Sequence, residues 1–285
     1  MRKPWRSLLF IPVLEERFLA KAAERGADAI VLDLEASIAA ERKQEARAAL
    51  PAAVERLAAA GQEVLVRLNM PWRPAFQDLE AAVRPGVSAL LLAGSESTAY
   101  VEAVDALLDE MEPAQGLALG SIGLVLLIES ARGVTQAAEL AAASPRVCAM
   151  TFGIEDYLAD MQAAADNDVL ERAGQRIAEA ARSVGAEPLV VPASLAELSD
   201  LDAFEAAVKR GKALGSSGGF AVHPGQVAVL NQAFAPNEAE VAWARKVIDA
   251  AAAAEAEGKG AIRLDGRMID LPIVKRAEAI LARAP

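Results

Sequence analysis

A chain of 285 residues, 54% of them apolar and many of those alanine, can build a sizeable core, and its length suits one α/β barrel. The formal net charge of −11 and a pI of 4.8 argue against wholesale binding to nucleic acid or to an anionic membrane, because no basic face survives such an excess of acid. One cysteine, Cys148, leaves no disulfide framework and reads as a small buried hydrophobe.

The N-terminus, MRKPWRSLLFIPVLEERF, has early basic residues and then a short apolar run, Leu8–Leu14, which Pro12 interrupts and Glu15-Glu16 close. That run is too short and wrongly flanked for a signal peptide or a membrane span, so a soluble cytoplasmic protein is expected. The first strand is read over Ser7–Val13, with a helix over Glu15–Arg25 and Gly26 after it. The second strand, Ala29–Leu34, carries Asp33 and is followed by Glu35. A charged, alanine-rich helix over Ala40–Ala60 stops at Gly61, a residue that accepts the left-handed backbone of a helix end. Glu63–Leu68 is the third strand, and Pro71 and Pro74 mark a loop before a short helix, Phe76–Val83.

The fourth strand is Val87–Leu92, followed by a helix over Ser97–Met111. Leu124–Ile128 and Val147–Phe152 are the fifth and sixth strands, joined by a helical segment, Val134–Ala142. A helix over Val169–Val184 leads to the seventh strand, Pro188–Val191. After the helix Leu201–Leu214, Gly215-Ser216-Ser217-Gly218-Gly219 reads as a flexible turn before the eighth strand, Phe220–Val222. Eight strand–helix units predict a (β/α)8 barrel over residues 1–235. An open doubly wound sheet is the alternative, but no glycine-rich dinucleotide fingerprint follows the first strand and no P-loop is present. Residues 236–285 are expected to form a C-terminal helical arm or lid: a helix over Asn237–Glu257, a hinge-like turn at Glu257-Gly258-Lys259-Gly260, an extended Ala261–Asp270 and a last helix, Pro272–Ala284.

Polar residues gather at the strand ends. Glu35, Arg67 with Asn69, Glu129, Glu155 with Asp156, and His223 all fall on the C-terminal rim, the face that carries chemistry in barrels. Any one of these acids has a plainer use as a helix cap. An arginine inside the apolar strand LVRLN needs a carboxylate partner, from the protein or from a ligand. Glu129 and Asp156 follow consecutive strands, and two acids brought together there can both stay ionised around a hard cation. His223, the only histidine, reads either as structural or as a substrate contact.

Six ordered motifs, RSLLFIPVLEERFLAKAAERGADAIVLDLEASI, VRLN, LIESARG, FGIEDYLAD, AVHPGQ and GRMIDLP, give the chain a resemblance to the citrate lyase β-subunit-like family of the HpcH/HpaI aldolase superfamily. The resemblance implies a Mg²⁺-dependent carbon–carbon lyase that cleaves or forms a short β-hydroxyacyl-CoA, of the malyl-CoA or citramalyl-CoA type, from acetyl-CoA and a 2-keto acid. It also implies a homotrimer, or a dimer of trimers. By motif, Glu129 and Asp156 would be the metal ligands and contact substrate, and Arg67 would bind the keto-acid carboxylate. Glu35, with Arg67 and Asp270, is taken as a candidate catalytic residue, and His223 as a candidate substrate contact. Asp270, at the end of RMID, would be an acid on an arm that reaches a neighbouring subunit's site; its plainer reading is the N-cap of the last helix. Arg6 and Lys21 are candidate coenzyme A contacts by their place near strand one.

The chain departs from the family's pattern. It has Ala36 where an acid is usual, His223-Pro224-Gly225-Gln226 where HPSQ is usual, and Val191-Pro192-Ala193-Ser194 where strand seven usually ends in Asp-Gly. Three other readings follow: a thioesterase on the same substrates, an aldolase on free hydroxy-keto acids, and a non-catalytic barrel that binds a keto acid or CoA ester or serves as a subunit of a larger complex.

Overall fold

The computed structural model describes residues 4–194, 200–256, 262–264 and 266–284. It divides into two compact units. One spans Trp5–Asn231, and the other comprises Gln232–Pro285 with Met1–Pro4.

The larger unit contains, in chain order, β1 (Ser7–Pro12), α1 (Glu16–Leu19), β2 (Ala29–Asp33), α2 (Lys43–Ala59), β3 (Glu63–Leu68), α3 (Trp72–Ala82), β4 (Val87–Leu92) and α4 (Thr98–Ala114). It continues with β5 (Gly123–Ile128), α5 (Ala131–Thr135), α6 (Ala137–Ala142), β6 (Val147–Phe152), α7 (Ile154–Met161), α8 (Asn167–Ser183), β7 (Glu187–Leu189), α9 (Leu201–Ala213), β8 (Gly219–Ala221) and the start of α10 (Pro224–Phe234). The strands pair in parallel in the order β7-β6-β5-β4-β3-β2-β1-β8, so each lies beside its sequence neighbour and β1 returns to β8. This is the expected (β/α)8 barrel.

Side chains alternate across each strand, so residues of one parity point inward. Leu8 on β1, Ala29 and Val31 on β2, Leu65 on β3, Ala89 and Leu91 on β4, Val125 and Leu127 on β5, and Ala149 on β6 form one buried interior cluster. The next inward positions toward the C-terminal end are Asp33 and Arg67, which the β2–β3 register sets directly opposite each other. Cys148 is half-buried at a register shift between β5 and β6 and packs against this cluster.

The helix ends follow local chemistry. Gly61 adopts φ +75°, and Gly61 N–H and Gln62 N–H donate to the Ala58 and Leu57 carbonyls at 2.9 and 3.0 Å, a Schellman stop where the sequence predicts one. The predicted start of α3 moves upstream to Trp72, because Pro74 falls in the first turn, where a missing N–H costs no helical bond. The helix predicted over Val134–Ala142 divides at Gln136 into α5 and α6. The helices α7 and α10 have no counterpart in the sequence reading. Among the described residues no helix is long and apolar enough to cross a membrane.

The smaller unit consists of α11 (Glu238–Ala256), an antiparallel pair β9 (Ile262–Leu264) and β10 (Arg267–Ile269), and α12 (Leu271–Leu281). Its core is Ala244, Val247, Ile269 and Ala277, with Trp243 and Ile273 against it. The expected turn at 257–260 lies outside the described residues.

The stretch before β8 reads as a flexible turn in the sequence, but Ser216 and Ser217 are buried and close the seam between β7 and β8. The Ser216 hydroxyl accepts from Val190 N–H at 2.9 Å and lies 2.9 and 2.8 Å from the Pro188 and Gly218 carbonyl oxygens, while Ser217 N–H donates to Pro188 O at 2.8 Å. Two serines thus do what a strand ladder does elsewhere in the barrel. Ser216→Ala leaves the Val190 N–H buried without its acceptor and should cost about 1–3 kcal/mol in urea denaturation. An unchanged midpoint would show that the seam is held by packing alone.

Candidate active site

A cavity of about 780 Å³ opens at the C-terminal ends of the strands. Arg25, Asp33, Ser37, Arg67, Glu129, Thr151, Glu155, Asp156 and His223 contribute its polar lining. Four of the expected site residues, Arg67, Glu129, Asp156 and His223, are therefore together in one cavity.

Arg67 is the last but one residue of β3 and points inward by its parity. Its Nε and Nη2 donate to the two Asp33 oxygens at 2.7 Å each, and its guanidinium lies 4.6 Å above the centre of the Phe10 ring. Glu35 Oε2 is 3.4 Å from Nη1. Asp33 is the partner the sequence reading overlooked: its parity follows from the strand pattern, but its register with Arg67 comes from the paired strands. Asp33 is almost fully buried. It also accepts from the N–H groups of Glu35 and Ser37 at 2.8 and 2.9 Å, which ties down the turn after β2. Burial works against ionisation of Asp33, but the Arg67 fork, with help from Ser37 and Glu35, holds its carboxyl below the usual range. Glu35 itself flanks Arg67 and is absent from the cavity lining, whereas Ala36 and Ser37 line it.

Glu129 follows β5 and Asp156 sits in the first turn of α7, which begins after β6, the neighbour of β5. The sequence reading took Asp156 as a strand-end residue; its placement on a helix start adds favourable peptide dipoles. Glu129 Oε1 accepts a short hydrogen bond from Gly94 N–H. Its other side is enclosed by Gly153, where an added Cβ would come within 2.7 Å of Glu129 Oε2 and 2.8 Å of its Cβ. Only glycine leaves room for the carboxylate there. Burial, and then the charge of Asp156, push the Glu129 carboxyl up to about 7, with the Gly94 hydrogen bond opposing them. Among the described residues no group of three or more His, Cys, Asp or Glu is arranged to hold a metal ion. Two carboxylates of this kind nevertheless suit a hard cation that takes one or two protein ligands and fills its other positions from water or substrate.

His223 is exposed beyond β8, and its Nδ1 accepts from Gly225 N–H at 3.1 Å, which assigns the ring proton to Nε2. The two residues expected near coenzyme A do not reach the cavity. Arg6 precedes β1 at the opposite, N-terminal end of the barrel and is forked onto Asp28 at 2.8 and 2.7 Å. Lys21 is exposed and outside the lining, while Arg25 and Phe18 belong to it. Asp270, in the smaller unit, holds the N-cap position of α12. Its backbone carbonyl accepts from Ile273 and Val274 N–H, but its carboxylate makes no cap hydrogen bond.

The HpcH/HpaI aldolase/citrate lyase family matches residues 6–224. The chain is 34% identical over 283 residues to the citrate lyase subunit beta of Haemophilus influenzae, covering 98% of this chain and 96% of that one. It is 33% identical over 305 residues to the L-malyl-CoA/beta-methylmalyl-CoA lyase of Cereibacter sphaeroides, covering 99% and 95%. Among solved structures, CitE from Mycobacterium tuberculosis, in complex with magnesium, acetoacetate and coenzyme A, superposes with a TM-score of 0.73 at 30% identity, covering 99% of both chains.

The Asp33–Arg67 pair sets a stability prediction. Asp33→Asn removes the charge opposite a largely buried guanidinium and should cost about 3–5 kcal/mol in denaturant unfolding at pH 7. Folding lowers the Asp33 pKa, so the wild-type pair stabilises above the unfolded value of 3.8 and loses that contribution as the pH falls through the lower folded value. The gap between wild type and Asp33→Asn should therefore narrow in acid. A gap that stays constant from pH 7 to pH 2 would show that Asp33 acts by shape rather than charge.

Proposed function

We propose that this chain, which belongs to the HpcH/HpaI aldolase/citrate lyase family, is a Mg²⁺-dependent carbon–carbon lyase. Its substrates would be a short β-hydroxyacyl-CoA of the malyl-CoA or citramalyl-CoA type in one direction, and acetyl-CoA with a 2-keto acid in the other. The observation that carries the reading is one cavity that holds both a carboxylate pair, Glu129 and Asp156, and an arginine, Arg67. Relatives named as lyases, and a neighbour solved with magnesium and coenzyme A, support it.

Glu129 and Asp156 would hold the Mg²⁺, and the raised Glu129 pKa is what a cation there would relieve. The bound ion would supply Lewis-acid polarisation of the keto oxygen. Arg67 has five N–H donors, of which Asp33 takes one on Nε and one on Nη2. Glu35 Oε2 lies 3.4 Å from Nη1, so a keto-acid carboxylate at the end-on fork of Nη1 and Nη2 would take the place of Glu35 there. This positions the electrophilic carbon, and the Phe10 face beneath the guanidinium keeps water from one side of it. His223 offers the Nε2 proton to a substrate oxygen at the rim.

In the synthetic direction a base takes a proton from the acetyl-CoA methyl group. The enolate carbon then attacks the keto carbon, and the new alkoxide oxygen gains a proton; cleavage is the reverse. We assign the acid/base role to Asp270, supplied by a neighbouring subunit of a cytoplasmic homotrimer. Its carboxylate supports this by sitting at a helix start without capping it.

Glu129→Gln and Asp156→Asn should each abolish Mg²⁺ binding in calorimetry and product formation from acetyl-CoA and a 2-keto acid, with melting temperature kept. Unchanged Mg²⁺ affinity in both variants would refute the ligand assignment. Asp270→Asn should lower turnover about 100-fold or more while Mg²⁺ binding and melting stay nearly unchanged. Refolded mixtures of Asp270→Asn and Glu129→Gln chains should regain partial activity. Mixtures no more active than either variant alone would rule out a site shared between subunits.

A further inference from the structure

Met70 lies just past the end of β3 and is 41% exposed. Its thioether nevertheless reaches back toward the carboxylate pair. A Cβ added at Gly94 would come within 2.7 Å of Met70 Cε, 3.4 Å of its Sδ and 3.5 Å of Glu129 Oε1. The Met70 methyl group thus fills the space that a side chain on Gly94 would need, and thioether and carboxylate pack on the same glycine. That glycine donates the short hydrogen bond to Glu129 Oε1, while Gly153 encloses the carboxylate on its other side. Met70 therefore belongs to the enclosure of Glu129 and also meets water. Among the described residues the other exposed methionines are Met161, at the end of α7, and Met268, in the smaller unit, whereas Met150 is buried.

We propose that Met70 is an oxidation site whose sulfoxide weakens cation binding at Glu129 and whose reduction restores it. This rests on the reading of Glu129 and Asp156 as the cation-binding pair and adds to that pair a reversible control by peroxide. Hydrogen peroxide transfers one oxygen to Sδ: the O–O bond breaks, the sulfur gives up two electrons, an S=O bond forms and water leaves. An apolar side chain becomes a polar one. The new oxygen has two places to go. Turned inward, it competes with Glu129 for the Gly94 N–H; turned to water, it draws the methyl group off Gly94 and wets the hydrogen bond. A hydrogen bond is stronger in dry surroundings than in water, so either course loosens the Glu129 carboxylate. Mg²⁺ demands near-ideal octahedral geometry, and a ligand free to turn holds it less well.

The test treats the full chain with hydrogen peroxide, maps the oxidised residues by peptide mass spectrometry and measures Mg²⁺ affinity by calorimetry before and after. Met70 should gain one oxygen while circular dichroism stays unchanged, and Mg²⁺ affinity should fall about 3- to 10-fold. Methionine sulfoxide reductases for both epimers, with a thiol reductant, should restore it. Peroxide should leave the affinity of Met70→Leu where it stood before treatment, whereas Met161→Leu should respond as the wild type does. Met70→Gln, which places a polar side chain of similar length there without peroxide, should bind Mg²⁺ more weakly than Met70→Leu. The proposal is overturned, with the carboxylate pair intact, if Met70 resists peroxide while Met161 is oxidised, or if oxidised Met70 leaves Mg²⁺ affinity unchanged. An equal fall in Met70→Leu also overturns it, because the response would then come from Cys148 or another residue. If the untreated chain binds no Mg²⁺, the reading of Glu129 and Asp156 fails and this proposal falls with it.

Discussion

The ion pair between Asp33 and Arg67 is the constraint on which the C-terminal face of this barrel depends. Parallel register sets the two residues opposite each other on adjacent strands, and inward parity turns both toward the axis. Each carries a charge whose desolvation the other offsets more than any other neighbour does. Asp33 also anchors the turn after β2 through two backbone N–H groups, so the pair fixes the strand ends as well as the guanidinium. Phe10 beneath Arg67, itself stacked on Phe220, carries this order across the β1–β8 side of the barrel.

The two ends of the barrel handle charge in opposite ways. At the N-terminal end Arg146 is buried and satisfied by Asp105, Asp109 and Glu112, while Glu112 also accepts from the N–H groups of Gly120 and Ile122. Arg6 and Asp28 make a comparable closed fork. Both arginines there are met by protein carboxylates, which is what a structural end requires. At the C-terminal end acids outnumber cations, and Glu129 is held in a tight enclosure of Gly94 and Gly153 close to a second carboxylate. Such an arrangement costs free energy in the isolated chain and favours whatever positive charge enters it, a common property of functional sites.

The glycine at position 153 shows how closely backbone and site are coupled. Its missing Cβ makes room for the Glu129 carboxylate, and it is also the residue from which α7 departs toward Asp156. A single position thus serves both carboxylates: it admits one and aims the other. Gly94 plays the matching part on the β4 side, donating its N–H to Glu129 from a left-handed backbone at φ +58°.

Most of the architecture was legible in the residues themselves. Aliphatic runs bounded by glycine and polar residues marked all eight strands, and β3, β4 and β6 fall where the runs end, because strand hydrophobicity is a local property. The gathering of Arg67, Glu129, Asp156 and His223 on one rim followed from counting strand ends. Tertiary structure alone decided which groups meet. Asp33 rather than Glu35 takes the Arg67 fork, because register between two strands is set by the packing of the whole barrel. Ser216 and Ser217, polar and glycine-flanked, resemble any loop in sequence, yet the closing barrel buries them as the seam of β7 and β8. Arg6 stands one residue before β1, at the end of the strand away from the cavity, where Asp28 holds it. Sequence specifies each element through its own side chains, whereas burial, pairing and pKa depend on neighbours that only the closed barrel brings together.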